Sequence, residues 1–217
     1  MFNQDQLKSL GIATGLILLN IGIMWMFVFT PLSGINDLVF GFNFFVGVLV
    51  YGALLSGGLW ISRSGIKTEN IKKAVAGTGL VQLGYGIFGA GILTMLVSPG
   101  LQAAALGITA VASSVIALLS GLLVYGTGHD FSSWGKYANY MFLGVLGISF
   151  LGSFSGTAVM IAFVLALLGF IVYLIHQIYV TKTRPGTPFL NAIGLYTAFM
   201  GVFVEILQLV VQMLADE

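Results

Sequence analysis

The chain has 217 residues, 58% of them hydrophobic and 7% charged, with a formal net charge of +1. Soluble domains carry about a quarter charged residues, so this chain cannot cover a water-facing surface; it reads as an integral membrane protein whose first partner is the lipid bilayer. No basic stripe with interleaved aromatics offers a nucleic-acid interface, and the absence of Cys excludes disulfides, thiolate metal sites and a cysteine nucleophile.

A spanning helix needs about 20 apolar residues, and seven runs supply that length. Met1 to Asp5 is polar, Lys8 follows, and no small-residue cleavage site comes after the first run, Gly11–Thr30, so a retained helix is expected. Asp37 marks the next break, before the second run, Leu38–Ile61. The stretch Ser62–Lys73 reads as the longest loop and holds Arg63, Lys67, Lys72 and Lys73. The third run is Ala74–Val97; the turn Ser98-Pro99-Gly100 leads into the fourth, Leu101–Tyr125. His129, Asp130 and Lys136 lie at the junction with the fifth, Trp134–Ser153. A tight turn near Ser155-Gly156 opens the sixth, Gly156–Val180; Lys182 and Arg184 precede the seventh, Phe189–Leu214. All eight Lys and Arg residues therefore sit at alternate breaks. Cytoplasmic loops retain Lys and Arg, so the pattern predicts a single all-α, seven-helix membrane domain over residues 1–217, with the N-terminus cytoplasmic and the C-terminus outside. A multi-pass protein of the cell membrane is expected.

Thirty glycines call for close helix packing, because small residues let helices approach in lipid. In the fourth run Ala103, Gly107, Ala110, Ser114, Ala117 and Gly121 form one stripe; Gly77, Gly84 and Gly91 do so in the third, and Ala158, Ala162, Ala166 and Gly169 in the sixth. The lone amides Asn20, Asn43 and Gln82 read as interhelical hydrogen bonds. Trp25, Trp60 and Trp134 read as interfacial anchors.

Glu205 is the one carboxylate well inside a run. A charge there costs at least ~2.5 to 3.5 kcal/mol on insertion scales, and such residues usually face a bundle interior. Thr197, Gly201, Glu205, Gln208 and Gln212 step along one face, so the seventh helix is expected to turn this stripe inward. No cation lies away from the ends of any span to pair with Glu205, which predicts a carboxyl group that is protonated part of the time. His176 and Gln177 lie near the cytoplasmic end of the sixth run, with His176 pointing into the bundle. Glu205, Gln208, Gln212, His176 and Gln177 are the candidate residues of an ion pathway. His129 and Asp130, on a loop, read as solvated.

Other seven-span chemistries find no support. A retinal protein needs a Schiff-base lysine deep within a helix, and the runs hold none away from their ends. A small-solute transporter built from repeats predicts similar halves, which are not apparent. One embedded Glu with a distant His makes neither a catalytic dyad nor a metal site, so no enzyme, cofactor or metal is expected.

The segment Tyr125-Gly126-Thr127-Gly128-His129-Asp130-Phe131-Ser132-Ser133-Trp134-Gly135, followed by Met141-Phe142-Leu143-Gly144-Val145-Leu146-Gly147, resembles the transmembrane Bax inhibitor motif family. Phe170–Ile178 is similar to that family's sixth helix, and Leu195-Tyr196-Thr197-Ala198-Phe199 with Phe203 and Leu207 to its last. The resemblance implies seven spans and a pH-controlled cation leak, of calcium above all, latched by a pair of aspartates on the sixth and seventh helices. Those latch positions fall here on Gln177 (or His176, one residue away) and Ala198, so the latch itself does not carry over. With Gln177 and Ala198 level across antiparallel helices, Glu205 falls level with Phe170. At 1.5 Å per residue it then lies roughly 9 Å or more in depth from His176. The expected function is a calcium or proton leak influenced by pH; the competing expectations are a non-conducting protein that assembles with other membrane proteins, or a small-solute transporter.

Overall fold

A computed structural model of the chain describes residues 3–40, 44–96, 98, 100–152, 156–184 and 187–215. All regular structure among these residues is helical: α1 (Gln4–Phe29), a 3-10 turn (Pro31–Ser33), α2 (Gly34–Phe40), α3 (Phe44–Lys67), α4 (Ile71–Leu96), α5 (Gln102–Gly126), α6 (Trp134–Gly152), α7 (Gly156–Thr183) and α8 (Pro188–Ala215). Five helices, α1, α4, α5, α7 and α8, are long and apolar enough to cross a membrane. α3 and α6 add 24 and 19 residues. Asn43, Asp216 and Glu217 lie outside the described residues, as do Ser153, Phe154 and Ser155 at the turn before α7.

Local polar chemistry sets the helix ends. α1 starts seven residues before the apolar run because Asn3 and Gln6 cap it reciprocally: the Asn3 N–H donates to Gln6 Oε1 (3.0 Å) and the Gln6 N–H to Asn3 Oδ1 (2.8 Å). Thr30 ends it, its hydroxyl donating to the Met26 carbonyl at 2.6 Å while accepting from the Leu32 N–H at 3.3 Å. The expected loop Ser62–Lys73 proves to be mostly helix, and only Thr68–Asn70 separate α3 from α4. Two hydrogen bonds close that link, Asn70 N–H to Gly65 C=O (2.8 Å) and Glu69 N–H to Ile66 C=O (3.2 Å). They make a Schellman motif, with Glu69 in the left-handed position usually given to glycine (φ 55°). Asn70 Oδ1 then accepts from the Lys73 N–H (3.0 Å) and caps α4.

The chain divides into two compact units, residues 1–11 with 109–206 and residues 12–108 with 207–217; α1, α5 and α8 contribute to both. In the second unit, α3 and α4 meet through glycine. A Cβ on Gly77 would strike the Ser62 backbone and lie 2.6 Å from the Gly58 carbonyl oxygen; one on Gly65 would strike Ala74. The buried hydroxyls of Ser62 and Thr78 sit 3.1 Å apart across this seam. Asn20 Nδ2 donates to the Gln82 carbonyl (2.7 Å) and Gln82 Nε2 to the Leu16 carbonyl (3.2 Å), the interhelical role expected of these amides. Gly86 and Gly89 of α4 accommodate Ile23 and Met24 of α1.

In the first unit, too, glycines leave room for side chains. Gly144 receives Leu165 (3.0 Å from an added Cβ), Gly169 receives the Phe142 ring (2.9 Å), and Gly201 receives Phe170. Ala162, Ala166 and Gly169 are buried on α7 as the small-residue stripe predicts, with Ala158 half-buried. On α5 the expectation fails. Gly107 and Gly121 face open space, and Ala103, Gly107 and Ser114 are exposed. The buried face instead runs through Ala105, Thr109, Ser113 and Ser120, a second small-residue row on the same helix. Two such rows are indistinguishable by composition, because lipid and protein interior are equally apolar.

Candidate functional site

α8 is buried over most of its length, with Tyr196, Ala198, Met200, Val202 and Phe203 fully enclosed. Its polar stripe does not turn uniformly inward. Thr197 and Gly201 are buried, Glu205 and Gln208 are half-buried, and Gln212 is exposed. Exposure thus rises along the stripe toward the C-terminus. Among the described residues none hydrogen-bonds or ion-pairs with the Glu205 carboxyl.

Two contacts fix the α7–α8 register. The Gln177 amide lies where a Gly194 Cβ would be, and the Phe170 ring lies where a Gly201 Cβ would be. Each pair of numbers adds to 371, whereas levelling Gln177 with Ala198 requires 375. Gln177 and Ala198, the positions that the resemblance pairs, are therefore one helical turn out of level, and Gln177 rests on Gly194. Glu205 follows Gly201 by four residues on the face turned to α7, level with Ala166. It lies about 15 Å in depth from His176 at 1.5 Å per residue, so the two candidates do not meet. Phe170, seated on Gly201, stands on the seam between Glu205 and Gln177.

His176 belongs to a different cluster. Its Nδ1 lies 3.1 Å from the Phe131 carbonyl oxygen. A carbonyl can only accept, so Nδ1 carries the hydrogen. The Nε2 edge packs on Gly135, where an added Cβ would come within 2.7 Å. The loop between α5 and α6 is held here by Phe131, which is buried with Val124 and Ile175 and is flanked by Trp134 (ring centroids 4.8 Å) and Tyr179 (6.0 Å). Asp130 is exposed, as expected of a loop residue, but it has partners: its carboxylate accepts the Ser132 N–H (2.8 Å) and the Tyr179 hydroxyl. These bonds, the Ser132 N–H first, hold its carboxyl below the usual carboxylate range. Lys182 Nζ donates to the Val124 carbonyl (2.8 Å) and lies 5.0 Å from the Tyr125 ring centroid, while the buried Gln6 amide donates to the Lys182 carbonyl (2.9 Å). The sequence marked His176, Asp130, Trp134 and Lys182 one by one but not Gln6, Val124 or Tyr179; that Phe131 knits the cluster together could have been suspected only from its being the one large apolar residue in a polar loop. Among the described residues no group of three His, Asp or Glu could hold a metal ion.

The chain matches no protein-family model, no curated protein and no solved structure.

Proposed function

We propose that the chain is a seven-span protein of the cell membrane, N-terminus cytoplasmic and C-terminus outside, that resembles the transmembrane Bax inhibitor motif family. It acts as a pH-influenced leak for calcium or protons. The observation that carries this reading is Glu205: a half-buried carboxyl without a partner among the described residues, on a polar stripe whose exposure rises through Gln208 to Gln212. A costly intramembrane carboxyl on a path toward water is the usual signature of an ion-handling group. Phe170 packs on Gly201, and in this reading its ring is the closed point of the path, gating as an apolar constriction does by excluding water. The substituted latch positions Gln177 and Ala198 play no part in it.

The test is cation flux into liposomes carrying the purified protein, measured against pH. Wild type conducts in a pH-dependent way, Glu205→Gln abolishes that dependence, and Phe170→Ala raises the flux several-fold. Flux no higher than in empty vesicles for wild type and Phe170→Ala alike overturns the reading. The competing role, a non-conducting protein that assembles with membrane partners, draws on the open row Ala103, Gly107, Ser114 and Gly121 of α5, a surface suited to another helix. A stable complex in mild detergent together with absent flux would favour it.

A further inference from the structure

The cation-rich end of the α3–α4 hairpin holds a feature that an ion path does not use. Ser56, Trp60, Arg63, Ser64 and Lys67 recur at helical spacing on one face of α3 and, with Leu59, line a groove of about 500 Å³. That size suits a small-molecule group. Lys73 of α4 closes one side: its Nζ donates to Ser64 Oγ at 2.8 Å and lies 5.8 Å from the Trp60 ring centroid. This lysine is half-buried and tethered, so its charge is held in place rather than swept through solvent. Trp60 is 70% exposed, and Ile71 (76%) and Val75 (55%) present further apolar surface at the same end.

The combination is specific in kind. Arg63, Lys67, Lys72 and Lys73 set four positive charges against the single carboxylate of Glu69. A guanidinium and ammonium groups with a neighbouring serine hydroxyl match the oxygens of a phosphoryl group. An exposed tryptophan at a helix end marks headgroup depth, and basic pockets between helices on the cytoplasmic side recognise anionic lipid heads. We infer that this groove binds the phosphoryl headgroup of an anionic phospholipid, with Lys73 and Arg63 on the phosphate, Trp60 at the glycerol level and Leu59 against the first methylenes of the chain. The site is separate from the Glu205 stripe, so it stands or falls independently of ion flux.

The experiment uses the full chain in vesicles of equal parts phosphatidylcholine and phosphatidylglycerol, with bound lipid read by native mass spectrometry after mild extraction. Wild type retains phosphatidylglycerol in preference to phosphatidylcholine. Each cation near an anionic surface contributes about a fivefold factor, so Arg63→Gln/Lys67→Gln/Lys73→Gln lowers that preference by about 100-fold. Trp60→Ala lowers it less. Lys8→Gln/Lys136→Gln, which removes charge elsewhere, leaves it unchanged, and circular dichroism checks that each variant is folded. Equal retention of the two lipids by wild type, or equal losses in the groove and control variants, overturns the assignment. Displacement of the lipid by millimolar inorganic phosphate would also overturn it, by making the groove a site for a soluble anion.

Discussion

The α3–α4 and α6–α7 hairpins are both closed by glycine, yet glycine serves opposite ends in them. In α3–α4 it brings backbone against backbone: Gly58, Gly65 and Gly77 stand where a methyl group would meet main-chain atoms, and Ser62 and Thr78 share a hydrogen bond across the gap. In α6–α7 it makes a socket for a side chain, Leu165 in Gly144 and Phe142 against Gly169. Main chain cannot step aside without moving a helix, whereas a ring can turn. One seam is therefore intolerant of added volume and the other is compliant.

Substitutions can break or sharpen that contrast. The largest expected effect is Gly77→Val, which forces α3 from α4 and costs about 3 kcal/mol or more by overpacking. Gly169→Ala needs a turn of Phe142 and a small shift of Met141, whose Cβ would lie 3.3 Å away, and relieving a mid-helix glycine returns about 0.5 to 1 kcal/mol, so its net cost stays below about 1 kcal/mol. Unfolding of the purified protein in micelles measures both, and equal losses would erase the distinction. Next comes Glu69→Gly. A non-glycine residue in the left-handed region costs about 1 kcal/mol, so glycine raises the unfolding midpoint; a lowered midpoint would mean that the Glu69 carboxylate has a structural task. The smallest effect concerns the polar loop of the α5–α6 junction. Asp130 titrates below its ordinary range, so its charged form stabilises the docked loop at every pH above that range, and the contribution is lost as pH falls through the lowered native value. Tyr179→Phe removes one donor and shifts the Asp130 titration upward, as carboxyl-carbon NMR would report; no movement would show that Ser132 alone holds it.

The long helices were legible because a run of about 20 apolar residues admits few other structures in a membrane. The interhelical roles of Asn20 and Gln82 followed from the same reasoning, since a buried amide must find a partner. Which face of a helix turns inward was much less legible. α5 carries two small-residue rows, and only contacts show that Ala105, Thr109 and Ser113 form the inner one. The polar stripe of α8 was visible by spacing, but the inward turn expected of it is complete only at Thr197 and Gly201, partial at Glu205 and Gln208, and lost at Gln212. The α7–α8 register lies one turn from the one that levelling Gln177 with Ala198 implies, because Gly194 and Gly201 set it by admitting Gln177 and Phe170. Helix ends depended on short polar signals, the Asn3–Gln6 box and the Glu69 link, which a hydropathy reading passes over.

The paired amides of Asn20 and Gln82 have a mechanical consequence. Each bonds a main-chain carbonyl of the other helix, and carbonyls on one helix face recur about every 5.4 Å. A slide of α1 along α4 by less than that breaks both bonds and meets no replacement. The pair thus behaves as a detent: the two helices rest at one notch, and the next available notch is a full turn away.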